Sequence, residues 1–171
     1  MKRLGHIIEW LADIFGRFSE WLIIILMALV LVEVFFRYVV NRPLMVADEF
    51  GGYLLVAIMF LGGAYTWRQK GHIRVTALVE RLPLKASIWL RLVTLVIAFI
   101  ASVMLSIASY NFVMFSFARG MKSSTWLQTP LQGPQLTLLI GFILLSLLLI
   151  VEIIKAVTNL RTGTGIDEES R

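Results

Sequence analysis

Residues 21–40 read WLIIILMALVLVEVFFRYVV. The first twelve carry no charge, and as a helix the whole stretch would rise about 30 Å, the thickness of a bilayer's hydrocarbon core. Working outward, residues 50–67, 92–118 and 123–151 are also free of Asp, Glu, Lys and Arg. Four runs of this size predict four transmembrane helices, at about 21–40, 50–67, 92–116 and 134–154. The third run exceeds the hydrocarbon thickness, which implies tilt or protrusion. A membrane β-barrel is excluded, since strands of about ten alternating residues would not produce such runs.

Composition agrees. Of 171 residues, 58% are hydrophobic and 16% charged, against about 45–50% and 25% in soluble domains. The reading is an all-α integral membrane protein with a single four-helix domain over residues 1–160. The net charge of +5 does not point to nucleic acid, because membrane proteins gather Lys and Arg on their cytoplasmic side. With no Cys and two His, at positions 6 and 72, thiolate chemistry is excluded and no cofactor is expected.

Orientation follows from the same bias. Residues 1–20 hold three Lys or Arg, the segment between spans two and three holds six, and the C-terminal segment three; the opposite side has Arg42, Arg119 and Lys122, with Arg37 at the end of span one. Both termini are therefore expected in the cytoplasm, and Trp21, Trp67 and Trp89 fall at the cytoplasmic boundary where indoles favour the headgroups. Before span one, Leu4, Ile7, Ile8, Leu11, Ile14, Phe15 and Phe18 recur at helical spacing opposite Glu9, Asp13 and Arg17. That pattern predicts an amphipathic helix over 4–18 lying in the membrane interface, the other reading being an extension of span one. A cleaved signal peptide fits poorly, because the apolar run starts after residue 20 and no A-x-A site follows it. Val75, Leu78, Val79 and Leu82 suggest a second short amphipathic helix on the inner leaflet, where basic residues attract anionic lipid. Residues 161–171 are polar and expected to be disordered.

Charged groups inside a span are costly and mark either function or structural pairing. Glu33 and Arg37 stand at i, i+4 with the acid first, the favourable order for an ion pair. Two readings remain open: an ion or proton relay, or a neutralised pair packed against another helix or subunit. Asp48 and Glu49 precede span two, where a helix N-terminus favours anions; capping, or pairing with Arg37, Arg42 or a partner protein, would each account for them. Gly51, Gly52, Gly62, Gly63 and Ala64 in span two, Ala98, Ser102, Ser106 and Ser109 in span three, and Thr137 and Gly141 in span four are candidate packing surfaces. Residues 143–150, ILLSLLLI, are bulky nearly all round, so span four is expected to meet lipid. His72 is a lone loop histidine with a surface or capping role.

Several of these residues also stand in a familiar order. Arg37-Tyr38 ends span one, Asp48-Glu49 opens span two, Leu61-Gly62-Gly63-Ala64 lies within it, His72-Ile73-Arg74-Val75 is followed by Leu82-Pro83, and Thr129-Pro130 precedes span four. The arrangement resembles the small membrane subunit, DctQ type, of the tripartite ATP-independent periplasmic (TRAP) transporters. The family often has a Trp shortly before its acidic pair, where this chain reads Met45-Val46-Ala47, and an Asp where it has Thr76.

The resemblance implies a bacterial inner-membrane scaffold without enzymatic activity. Its partners would be a large permease subunit, which binds substrate and sodium and moves as an elevator, and a periplasmic binding protein that delivers an organic acid. Two rivals account for less. A stand-alone proton-coupled exporter of the small multidrug type would use one isolated membrane acid, whereas Glu33 lies late in its span beside Arg37. A haem-bearing anchor needs His within spans, and His6 and His72 lie outside all four.

Overall fold

The computed structural model describes residues 2–69, 84–125 and 127–162. His72, the second amphipathic segment and the polar tail beyond residue 162 lie outside the described residues. Among the described residues four helices make up the bundle: α1 (Lys2–Tyr38), α2 (Val46–Arg68), α3 (Leu84–Arg119) and α4 (Gln132–Thr162). Each contains a stretch long and apolar enough to cross a membrane. Apart from an isolated antiparallel bridge between Lys122 and Pro130, the described residues form no β-structure.

Helix ends follow from local chemistry. After Tyr38 the chain turns through Asn41 at φ 54°, a left-handed conformation that Asn tolerates better than most residues. Pro43 then bars continuation of the helix. Met45, also left-handed at φ 57°, precedes the first turn of α2 and contributes no side-chain cap. α3 ends in the usual way, with Gly120 at φ 55°.

Residues 4–18 do not form a separate interfacial helix. They are the first half of α1, which runs unbroken for 37 residues, about 55 Å at 1.5 Å per residue. The apolar periodicity read there is split between two faces: Ile7, Ile14 and Phe18 are exposed, as are Trp10 and Trp21, while Ile8, Leu11 and Phe15 pack against the core. A second stripe, of small residues, faces the bundle. Gly5 lies against Val151, Ala12 is fully buried, Gly16 receives the ring of Tyr65, and Ser19 meets Gly62. A Cβ at Gly16 would stand 2.4 Å from Tyr65 Cγ, so α1 and α2 approach this closely only because that residue has no side chain.

Span four was expected to meet lipid, yet α4 is the hub of the bundle. It packs on α3, α2 and α1, and Leu144, Leu148 and Leu149 are among the most buried side chains. Leu144 and Leu148 join Ala12 and Ala64 in one apolar cluster, bordered by Ile8, Leu11 and Phe15. Leu22, Ala57 and Leu61 form a second cluster between α1 and α2. Bulk alone did not distinguish the faces: Ile143, Leu147 and Ile150 look outward while the intervening leucines fill gaps left by small residues on α1 and α2. Gly141 brings α4 onto α2, where an added Cβ would lie 2.4 Å from the Phe60 carbonyl oxygen. Beside it the Phe60 and Phe142 rings meet at a tilt of 59° with centroids 5.0 Å apart.

Polar groups complete the contacts. Ser102 Oγ on α3 lies 2.7 Å from Ser146 Oγ on α4 and donates to the Phe142 carbonyl at 3.2 Å; Ser106 Oγ lies 3.5 Å from Ser146 Oγ and donates to the Ser102 carbonyl. At the end nearest the termini, α4 is tied to both outer helices by Lys155–Glu9 at 2.8 Å and Arg91–Glu152 at 3.1 Å. Gly62 touches Ser19, whereas a Cβ at Gly63 would meet nothing within 4 Å, so within this chain Gly63 is not a close-approach position.

The two glycines separate cleanly by experiment. Gly141→Ala forces a backbone to move and should lower the unfolding free energy of the purified chain by about 1–3 kcal/mol. Gly63→Ala should lose nothing. Thermal unfolding in detergent measures both.

Candidate functional site

Polar residues concentrate where α1 gives way to α2 and α3 to α4, here termed the turn end. Glu33 sits four residues before Arg37 on α1, and the helix register brings Arg37 Nη2 to 3.1 Å from Glu33 Oε1. The return of the chain through Asn41 and Met45 lets the Met45 N–H donate to the same oxygen at 3.4 Å. Glu33 is 7% exposed at its side chain and Arg37 45%, so the acid is desolvated while the guanidinium reaches water. Arg37 Nη2 also stands 3.6 Å from Asp48 Oδ2, a longer ion-pair contact to a carboxylate that is 69% exposed. Glu33 Oε2 is buried and has no hydrogen-bond partner among the described residues.

Glu49 behaves differently from its neighbour. It is buried, and among the described residues it pairs with no arginine. The hydroxyls of Thr125 and Thr129, in the connection between α3 and α4, both donate to its carboxylate, and Tyr53, one turn along α2, donates at 2.8 Å. The Tyr53 and Thr129 hydroxyl oxygens also lie 3.0 Å apart, and since each has one proton, a bond between them would replace one of those to Glu49. The connection is closed on itself by Ser123 N–H to the Thr129 carbonyl at 2.8 Å and Leu131 N–H to the Met121 carbonyl at 3.3 Å. Beside it a recess of about 240 Å³ is lined by Met45, Asp48, Glu49, Thr125 and Leu127. That is smaller than the roughly 300–1,000 Å³ of small-molecule sites, and it reads as space beside a loop.

Of the residues singled out by sequence, the structure brings Glu33, Arg37 and Asp48 together and places Glu49 next to them with other partners. Ser102 and Ser106 lie between α3 and α4, Gly62 lies against α1, and Gly63 is open. Sequence reading missed Tyr53, Thr125 and Thr129. Tyr53 was within reach as the i+4 neighbour of Glu49, but the threonines stand 76 and 80 residues away and carry no local signal. Among the described residues no three of His, Cys, Asp and Glu converge to hold a metal ion.

The asymmetric burial of Glu33 and Arg37 has a measurable consequence. Removing one partner of a buried pair costs about 3–5 kcal/mol, an upper bound here because Arg37 is half exposed. Arg37→Ala leaves the desolvated carboxylate with one backbone N–H. Glu33→Ala leaves a guanidinium that turns to Asp48 and water. The arginine change should therefore destabilise more, and the double change less than the sum of the two. A double-mutant cycle on the purified chain, read by thermal unfolding, tests both statements.

Similarity to known proteins bears on this constellation. Residues 26–159, which include the Glu33–Arg37 pair, Asp48, Glu49 and both threonines, match the family described as tripartite ATP-independent periplasmic transporters, DctQ component. A Haemophilus influenzae protein, provisionally named TRAP transporter small permease protein, is 29% identical over 83 residues, 48% of this chain and 50% of that protein. The chain thus spans about half the length of the curated relative it matches. With the family match covering well over half of its residues, the chain belongs to the DctQ family of TRAP transporter components.

Proposed function

We propose that the chain is the small permease subunit of a TRAP-type secondary transporter in a bacterial inner membrane, with both termini in the cytoplasm and the turn end facing the periplasm. It serves as a static scaffold for a large sodium-coupled permease subunit and works with a periplasmic binding protein in the uptake of an organic acid. The chain itself is not an enzyme. The observation that carries this reading is the use made of the intramembrane acid: Glu33 is joined to Arg37 and to the backbone entering α2, so its charge holds two helices in register. A lone carboxylate that cycles protons would stand apart from such a cation. Family membership and the wide apolar faces of α1 and α3, available to lipid and to a second membrane subunit, support it further.

Co-expression with the large permease should give a complex that co-purifies. Reconstituted with the binding protein, that complex should take up organic acid when a sodium gradient is imposed, and the chain alone should carry nothing. Proton-coupled efflux by the purified chain, abolished by Glu33→Gln, would overturn the proposal in favour of a stand-alone exporter.

Orientation has its own test. Because the chain lacks Cys, Arg42→Cys and Lys122→Cys each introduce a single thiol. A membrane-impermeant maleimide should reach both from the periplasmic side, and labelling only from the cytoplasmic side would reverse the assignment.

A further inference from the structure

Each outer acid is engaged within the chain, Glu33 and Glu49 buried and Asp48 exposed. Glu33 and Asp48 share Arg37, and Glu49 is occupied by Tyr53, Thr125 and Thr129. Arg42 and Lys122 on the same side are exposed and have no acidic partner among the described residues. Lys122 lies on the connection that Glu49 grips. Among its described residues that connection, 120–131, has backbone hydrogen bonds within itself or to the helix ends on either side, from Met121 to the Ser116 carbonyl and from Gln135 to the Leu131 carbonyl, and none to α2. Among the described residues the side-chain hydrogen bonds that tie it to α2 converge on Glu49, with the Tyr53 hydroxyl 3.0 Å from that of Thr129.

We propose that Glu49 is a latch that holds the α3–α4 connection against the start of α2, so that the loop bearing Lys122 is pre-positioned for a soluble acidic protein surface. The partner side of this inference rests on the function proposed above, in which the binding protein meets this face. Glu49 is a positioning residue: it acts through Thr125 and Thr129, and its neighbour Asp48 extends the same anchorage to α1 through Arg37. The physical benefit is pre-organisation. A loop held in its binding conformation loses less conformational freedom when a partner docks, and a cationic face raises the rate of encounter with an anionic one.

Two measurements test this. In the first, a spin label on Ser124→Cys, an exposed position on the loop, is observed in the full chain in lipid nanodiscs. The label should be immobilised in the otherwise native background. It should become mobile in Glu49→Ala and in the near-isosteric Thr125→Val/Thr129→Val pair, with no further gain when the changes are combined. Thr125→Ser/Thr129→Ser keeps both hydroxyls and should restore the immobile spectrum. Mobility unchanged by both Glu49→Ala and the valine pair would overturn the latch.

In the second, uptake by the reconstituted complex is titrated with binding protein. Releasing the latch should raise the half-saturating concentration about tenfold, equivalent to about 1.4 kcal/mol, and leave the maximal rate and the yield of complex unchanged. A fall in yield and maximal rate with half-saturation unmoved would mean that Glu49 is merely structural, and would overturn its positioning role. Absence of uptake by the unaltered complex would instead refute the proposed function, while the spin-label result would still decide the latch.

Discussion

Helices already inside a bilayer gain little by burying leucine against leucine, because lipid tails are as apolar as the side chains they replace. Cohesion must come from close backbone approach and from polar groups that find each other between helices. The bundle is organised around that constraint. Gly16 against Tyr65 and Gly141 against the Phe60 carbonyl set the separations of α1 from α2 and of α2 from α4. Ser102, Ser106 and Ser146 bridge α3 and α4. Interhelical hydrogen bonds in membranes average only about 0.6 kcal/mol each, so these serines fix the register of α3 on α4 more than they add to stability.

The charged groups obey the same logic at higher cost. Ion pairs and carboxylate hydrogen bonds at the two ends of the bundle tie different elements together. Near the termini, α4 uses Lys155 to hold α1 and Glu152 to hold α3, which suits its place at the hub. At the turn end, α2 does the joining: Asp48 faces α1 through Arg37, and Glu49 faces the α3–α4 connection through two threonines. Two consecutive residues on one helix point about 100° apart, which is why a single acidic dipeptide reaches two different segments. A protein that must hold its shape beside a moving partner is well served by ties of this kind, and the scaffold role proposed for this DctQ family member draws on them.

Much of the architecture was legible because its cause is local. Four apolar runs, the i, i+4 pairing of Glu33 with Arg37 and the order of the motifs shared with the DctQ family all depend on residues close together in the chain. The length of an apolar run answers directly to bilayer thickness, and helical periodicity to the backbone hydrogen bonds that lipid makes obligatory. The sequence by itself therefore determined the class of protein, its four spans, its family and the acid–base pair within span one.

What it could not determine is which face of each helix meets which neighbour. Outside water, apolarity no longer marks the buried side: Ile7, Trp10, Ile14, Phe18 and Trp21 look outward, Ile8, Leu11, Phe15 and the small residues beside them look inward, and the leucines of α4 fill the centre of the bundle. Whether residues 4–18 continue span one was likewise decided by packing, as Ala12, Gly16 and Ser19 dock on α2 and α4. The partners of Glu49 were hidden for a further reason. A carboxylate on α2 and hydroxyls some 80 residues later become neighbours only once α4 has drawn α3 and its turn alongside, so that contact belongs to the tertiary structure alone.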